Sequence, residues 1–501
     1  MADDDYTHHD ALALAERVAR RQTTAGALLE EALARTARLN PAINAFDAIA
    51  ADRARERAHR IDEALDDMPD DDARVELLRE RPFLGVPLPL KDLGTACTDL
   101  PSSMGSRFFR SIAWDHDAEL VVRYRAAGFV PFARSTSPEL GVSPSTEAEV
   151  YGGPTRNPWD TAFSAGGSSG GAAAAVAARI VPIAHGSDGL GSIRIPAACC
   201  GLVGLKPSRG LMPAGPDAGE GWGGLATEHV LSRTVRDTAA ALDATAGADA
   251  GAPYAAPPPP AGGYRRAAEA GARGEAPRLR IAVLDRGFDG APIHPEVAQA
   301  VGLVARVFEG LGHEVEPGAP SFDLVAELLA PAVDVVASGT AMSIEARVRA
   351  LGREPGEGEL SPTIRGALTH ARGVSGARYL QRLAALHRLS RRVAPFWDDV
   401  DVLLCPVLAE LPARLGRFAM TNPDFLDYRL GPNGIARYSP FTPLANVTGQ
   451  PAIAAPAAQS GSGLPIGVQL VGRFGDDATL LALAAELEAV RPWAAWRPPV
   501  S

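Results

Sequence analysis

Four cysteines in 501 residues, two of them adjacent at Cys199 and Cys200, are too few for a disulfide framework and show no C-x-x-C metal spacing. A reducing compartment is the expectation. Positive charge is also short: 49 Lys and Arg against 60 Asp and Glu leave a net charge of −11. An acidic surface repels both nucleic acid and anionic membrane, so neither is expected as a partner. The first residues, M-A-D-D-D-Y-T-H-H-D, lack a basic segment followed by an apolar one. No secretory signal is therefore expected, and the localisation reads as cytoplasmic. Uninterrupted apolar runs of about 18 residues are missing, which argues against a membrane span. Metal-ligand patterns are equally thin. His8-His9 lies near a terminus and Asp66 to Asp72 reads as a solvated loop, so no metal and no cofactor are expected.

What is present suits a small-molecule enzyme: 46% hydrophobic and 22% charged residues provide for an ample core in a soluble globular protein. From Asp10 to Asn40 apolar residues recur at helical spacing around a break at Thr23-Thr24, which predicts an antiparallel helix pair with Thr24 capping the second helix and Pro41 ending it. Asn44 to Arg81 continues as a helical, heavily charged stretch. A helix is expected around 118–128, and strands at 129–134, 279–284 and 401–406. A helix and a strand should fill 295–315, in βαβ-like alternation with the strand at 279–284. The region 321–438 reads as mainly helical. Four consecutive prolines and a Gly/Ala/Arg-rich stretch mark 248–277 as a surface linker.

The chemistry concentrates between Ser164 and Arg194, S-A-G-G-S-S-G-G-A-A-A-A-V-A-A-R-I-V-P-I-A-H-G-S-D-G-L-G-S-I-R. Two glycine-flanked serines, Ser168 and Ser192, bracket an Ala-rich helix at 172–178 and a strand, an arrangement that can bring both hydroxyls to one point. The helix N-terminus beside Ser168 and Ser169 favours an anion or a developing oxyanion. Gly166 to Gly170 also satisfies the G-x-S-x-G pattern of a nucleophile elbow. That pattern needs an apolar strand before the serine and a later histidine base. The preceding N-P-W-D-T-A-F-S-A is polar, and no histidine follows His387. The alternative base is Lys91 in G-V-P-L-P-L-K-D-L-G, where Val86, Leu88 and Leu90 carry the chain inward. A lysine desolvated in this way loses pKa and can act as a neutral base.

Three segments together, G-V-P-L-P-L-K-D (85–92), G-G-S-S-G-G (166–171) and D-G-L-G-S-I-R-I-P-A (188–197), followed by C-G-L-V-G-L-K-P-S, resemble the amidase signature family of serine hydrolases, as does the 24-residue separation of the two serines. The resemblance implies a single α/β domain over 1–501, with a mixed β-sheet sandwiched by helices. Its parts would be N-terminal helices (1–80), a catalytic core (81–247), the linker (248–277) and the rest of the sheet with the pocket helices (278–501), where 446–451 and 464–471 resemble the family's C-terminal strands. It implies a Ser-cisSer-Lys triad: Ser192 the nucleophile, Ser168 the relay after a cis peptide, and Lys91 the base. The oxyanion hole would fall on the amides of Gly189, Leu190, Gly191 and Ser192, with Ser169, Asp188 and Arg194 bracing the loop.

Leu190 departs from the glycine usual at this position of the family. Within the family, D-G-L-G-S is similar to the 6-aminohexanoate-cyclic-dimer hydrolase subgroup, and Leu190 is expected to offer apolar surface to the substrate. The implied substrate is an uncharged small-molecule amide with an aliphatic or aryl body, including synthetic amide or carbamate oligomers, as for a urethanase. A homodimer is compatible with this reading. Two other classes stay open: an amidotransferase A-type subunit working on glutamyl-transfer RNA inside a complex, and a catalytically silent binding protein on the same fold.

Overall fold

The computed structural model describes residues 3–501, with side chains from Tyr6 onward. Its main sheet has eight strands in the order Glu314–Pro317, Arg280–Val283, Val402–Pro406, Pro465–Gly472, Ala452–Gln459, Val203–Lys206, Thr227–Ser232, Ile183–Asp188. The first three are mutually parallel and every later pairing is antiparallel. Burial follows composition. Val402–Pro406, with the sequence V-L-L-C-P, is buried throughout, whereas the charged Glu314–Pro317 occupies an edge, where its exposed side chains discourage further pairing. Helix Pro295–Gly310 joins the parallel neighbours Arg280–Val283 and Glu314–Pro317, the crossover that parallel strands require. Helices flank the sheet, making it the α/β arrangement expected; Arg194–Cys200, wholly buried, lies on the central strands.

A second sheet of three strands, Phe46–Ile49, Val130–Ser135 and Pro87–Lys91, carries the lysine. In a strand, alternate N–H groups point to opposite sides. Pro87 and Pro89 therefore remove the donors on the side of Pro87–Lys91 that faces away from Val130–Ser135, which makes it an edge strand. That bare side lies along Ile183–Asp188 of the main sheet. The donor remaining there is the N–H of Lys91, and it is taken by Nδ1 of His185 at 3.1 Å. The two sheets thus meet where the two sequence motifs meet.

Several local expectations are corrected. Thr24 does cap helix Ala25–Ile43, accepting from the Ala27 amide, but Pro41 lies inside the helix, which ends at Asn44 in the left-handed conformation that Asn tolerates. This helix packs chiefly along Ala51–Asp66, while Ala11–Ala19 meets Asp71–Leu77. The stretch after Asn44 opens with the strand Phe46–Ile49. Within the acidic run, Asp70 caps the helix Asp71–Leu77. Residues 446–448 end the helix Pro443–Thr448, closed by Gly449, and the strand begins only at Ala452. The apolar stretch Leu324–Leu351 is long enough to cross a membrane but is mostly buried within the fold.

The 248–277 segment is more than a surface linker, because it contains the helix Gly263–Ala272, packed on Asp477–Val490 and Val235–Thr245 through Tyr264, Ala268 and Gly271. A Cβ on Gly271 would collide with the backbone carbonyl of Ala482. Gly271→Ala is therefore expected to lower stability by about 1–3 kcal/mol in a urea titration, despite alanine's better helix propensity. A stabilised variant would show that this helix is not docked.

Candidate active site

Lys91 ends its strand fully buried. Its Nζ lies 2.7 Å from Ser168 Oγ, 2.9 Å from Ser187 Oγ and 3.4 Å from the Ser187 carbonyl. Burial pushes its pKa down to about 7, against the opposing pull of Asp188 and Glu228. Near neutral pH the amine can therefore lose its proton and accept one from Ser168. Ser168 is likewise buried, and the Gly167–Ser168 peptide is cis. Ser169 immediately precedes the buried helix Gly170–Ala177 without capping it through its side chain. Its amide donates to the Ser192 carbonyl at 3.1 Å, and its hydroxyl bonds the backbone of Ser187.

The loop bearing Ser192 is built around a buried ion pair. Arg194 donates twice to Asp188, at 2.9 Å from both Nε and Nη2. Burial opposes ionisation of Asp188, but Arg194, Asn446 and Lys206 hold its carboxyl well below the usual range. The same carboxylate takes the amides of Gly191, Ile193 and Arg194. Arg194 also donates to the Thr442 carbonyl, Gln469 Oε1 and Asn446 Oδ1, and the Asn446 amide returns to Asp188 and the Leu225 carbonyl. Every arm of both charges is engaged, which is what makes such a pair tolerable in the interior.

This arrangement sorts the four loop amides. Gly191 spends its N–H on Asp188, so it does not serve the cavity as expected. Those of Gly189, Leu190 and Ser192 have no hydrogen-bond partner among the described residues. Ser192 and Ser168 line one cavity of about 400 Å³. Among the described residues the Ser192 hydroxyl makes no hydrogen bond, so the structure joins Lys91 to Ser168 but leaves the Ser168 to Ser192 link open.

Leu190 behaves differently from expectation. Its φ is not positive, and the glycines on either side carry the steric demand: Gly191 has φ +126° with Thr442 against it, and a Cβ on Gly189 would sit 2.7 Å from Trp222. Leu190 is not among the residues lining the cavity and packs instead against the apolar clusters that contain Leu329 and Val333. The apolar cavity wall comes instead from Leu93, Met104, Leu140, Met212, Trp222 and Met342.

Neither buried histidine near the site acts as a serine's base. His185 is committed to the Lys91 amide, His229 has no side-chain partner among the described residues, and burial pushes both down to about 3. Among the described residues no cluster of metal-ligating side chains occurs. Sequence reasoning missed Ser187, Glu228, Thr442, Asn446 and Gln469. The signal for Ser187 was a hydroxyl inside a buried strand. For Asn446 it was an Asn in a segment wrongly read as strand.

Comparison with known proteins gives the family. The Amidase family model matches residues 27–481. The chain is 35% identical over 500 residues to the 6-aminohexanoate-cyclic-dimer hydrolase of Pseudomonas sp. (strain NK87), covering 98% of this chain and 96% of the relative. It superposes on a structure of 6-aminohexanoate cyclic dimer hydrolase with a TM-score of 0.88 at 32% identity, covering 99% of each chain. A bacterial aryl acylamidase of the amidase signature family matches with a TM-score of 0.84 at 27% identity, covering 97% of each.

Replacing Arg194 by Met would leave the Asp188 carboxylate buried without its counter-charge. Unfolding in urea at neutral pH is expected to show a loss of about 3–5 kcal/mol. A loss within about 1 kcal/mol, the scale of an exposed pair, would contradict the role given to this ion pair.

Proposed function

The chain belongs to the amidase family and hydrolyses amide carbon–nitrogen bonds, and from that premise we propose that Ser192 is its nucleophile, Lys91 its base and Ser168 the relay between them. The observation that carries this reading is the 2.7 Å contact between Lys91 Nζ and Ser168 Oγ, made by an amine whose pKa burial brings down to about 7. Neutral Lys91 takes the Ser168 proton as Ser168 takes that of Ser192. The Ser192 oxygen then bonds the amide carbon and the carbonyl π electrons move to oxygen. The unspent amides of Gly189, Leu190 and Ser192 stabilise that oxyanion, a task in which one donor contributes about 100- to 1,000-fold in rate. Collapse of the intermediate breaks the C–N bond, and the relayed proton goes to the leaving amine. Water, activated by the same relay, then cleaves the acyl-enzyme.

The cavity wall supports a substrate with an aliphatic or aryl body, because each well-buried group of that kind contributes about 1.5–3 kcal/mol. Carbamates present the same carbonyl to the same nucleophile and belong to the expected range. Strands from 183–232 and 280–472 share one sheet, which supports reading the chain as one catalytic unit. Four free, buried cysteines, Cys97, Cys199, Cys200 and Cys405, fit a reducing cytoplasmic setting.

A hydrolysis panel of cyclic and linear aliphatic amides, anilides and carbamates against acetamide and glutamine, with Ser192→Ala as blank, tests the substrate class. Apolar-bodied amides are expected to lead, and a clear preference for glutamine would refute this class. The rate should rise with pH through about 7, since deprotonation creates the base. Lys91→Ala should fall about 100- to 10,000-fold with its fold intact by circular dichroism; an unchanged rate would remove Lys91 from the mechanism.

A further inference from the structure

Beside the reacting groups the cavity holds a carboxyl that the hydrolysis does not use. Glu228 lies on the strand Thr227–Ser232, directly opposite Ser187 of Ile183–Asp188 in the antiparallel register. Opposed residues project to the same face about 5 Å apart, and the hydroxyl of Ser187 touches Lys91 Nζ. Glu228 is therefore placed beside the reacting centre, and it lines the same cavity as Ser168 and Ser192.

The two oxygens of Glu228 differ. Oε1 accepts from Thr95 Oγ1 at 2.9 Å and lies 3.7 Å from His185 Nε2. Oε2 has no hydrogen-bond partner among the described residues and keeps accessible surface, and the cavity is the space that Glu228 lines. Desolvation raises the pKa of Glu228, as happens when a carboxylate is short of donors. The other charged groups nearby are spoken for. Arg134 gives its guanidinium to the carbonyls of Lys91, Thr95 and Leu100, and Arg209 to those of Gly224, Asn446 and Val447. At the mouth, Asp217 holds His116 and Glu220 holds Tyr254.

We propose that Glu228 is a specificity residue, whose free oxygen accepts a hydrogen bond from an N–H group on the body of the amide substrate, either an ammonium or a second amide. This rests on the amide-hydrolase reading above and modifies its substrate class: the body remains aliphatic or aryl but carries one N–H donor, charged or neutral. Bound substrate covers this oxygen, and an acceptor covered without a partner is costly, so a substrate that supplies the donor is favoured over one of equal shape that does not.

The test uses three amides of equal length that share the scissile group and differ at one position of the body: a methylene, a secondary amide or an amine. In the wild-type enzyme kcat/KM is expected to be about 10-fold or more higher for the two donor-bearing compounds than for the methylene compound. Glu228→Gln keeps the shape and an acceptor oxygen but loses the charge, so it should erase the ammonium preference while keeping part of the amide preference. Glu228→Leu should erase both, and if it does not fold, the ammonium arm of Glu228→Gln decides. No preference in the wild type, or a preference that survives the substitutions, overturns the proposal. So does an equal change for all three substrates, because that is the mark of an effect exerted through Lys91 alone. Failure of the wild type to cleave any of the three would overturn the amide-hydrolase reading as well, which separates the two failures.

Discussion

Taking one amine out of water is the constraint on which this site depends. An ammonium loses its hydration when buried, and the molecule answers by making the neutral form accessible near pH 7. The prolines at 87 and 89 leave the strand carrying Lys91 with a bare edge, so it reaches the serine-bearing strand without pairing along it. His185, kept neutral by its own burial, fills the gap by accepting the Lys91 amide. The amine is then left with serines, Ser168 and Ser187, as its near partners. A carboxylate in contact with it would stabilise the ammonium and spoil it as a base; Asp188 and Glu228 act only through space.

Charge is used differently a few residues away. Asp188 is as buried as Lys91, yet its carboxyl is held well below the usual range, because Arg194, itself buried and fully hydrogen-bonded, lies against it with Asn446. The pair ties the loop to Thr442, Asn446 and Gln469, drawn from the far C-terminal part of the chain. By absorbing the amides of Gly191, Ile193 and Arg194, Asp188 also decides which N–H groups remain free beside Ser192. The same carboxylate thus anchors the loop and selects its donors.

The legible features were those written in local sequence. The alternation before Lys91 predicts a strand running inward, V-L-L-C-P predicts a buried one, and the glycine-flanked serines predict close turns around a small-residue helix. Illegible were the facts settled by distant partners. Asn446 meets Asp188 across 258 positions, and nothing near it in the chain announces that role. Leu190 was misread for a related reason: adjacency to Ser192 does not fix which way a side chain points, and the helices beyond residue 324 supply the apolar surface it packs against. Pro41 misled because a proline near the end of a helix need not be its end, and the left-handed Asn44 does the closing.

The central claim, that buried Lys91 activates Ser192 through Ser168, is tested most directly by the rate at which a fluorophosphonate modifies the protein as a function of pH, with the modified residue located by mass spectrometry. The account predicts an adduct on Ser192, formed at a rate that climbs through about pH 7 and that loses this dependence in Lys91→Ala. An adduct on Ser168, or the same pH dependence with and without Lys91, would contradict it.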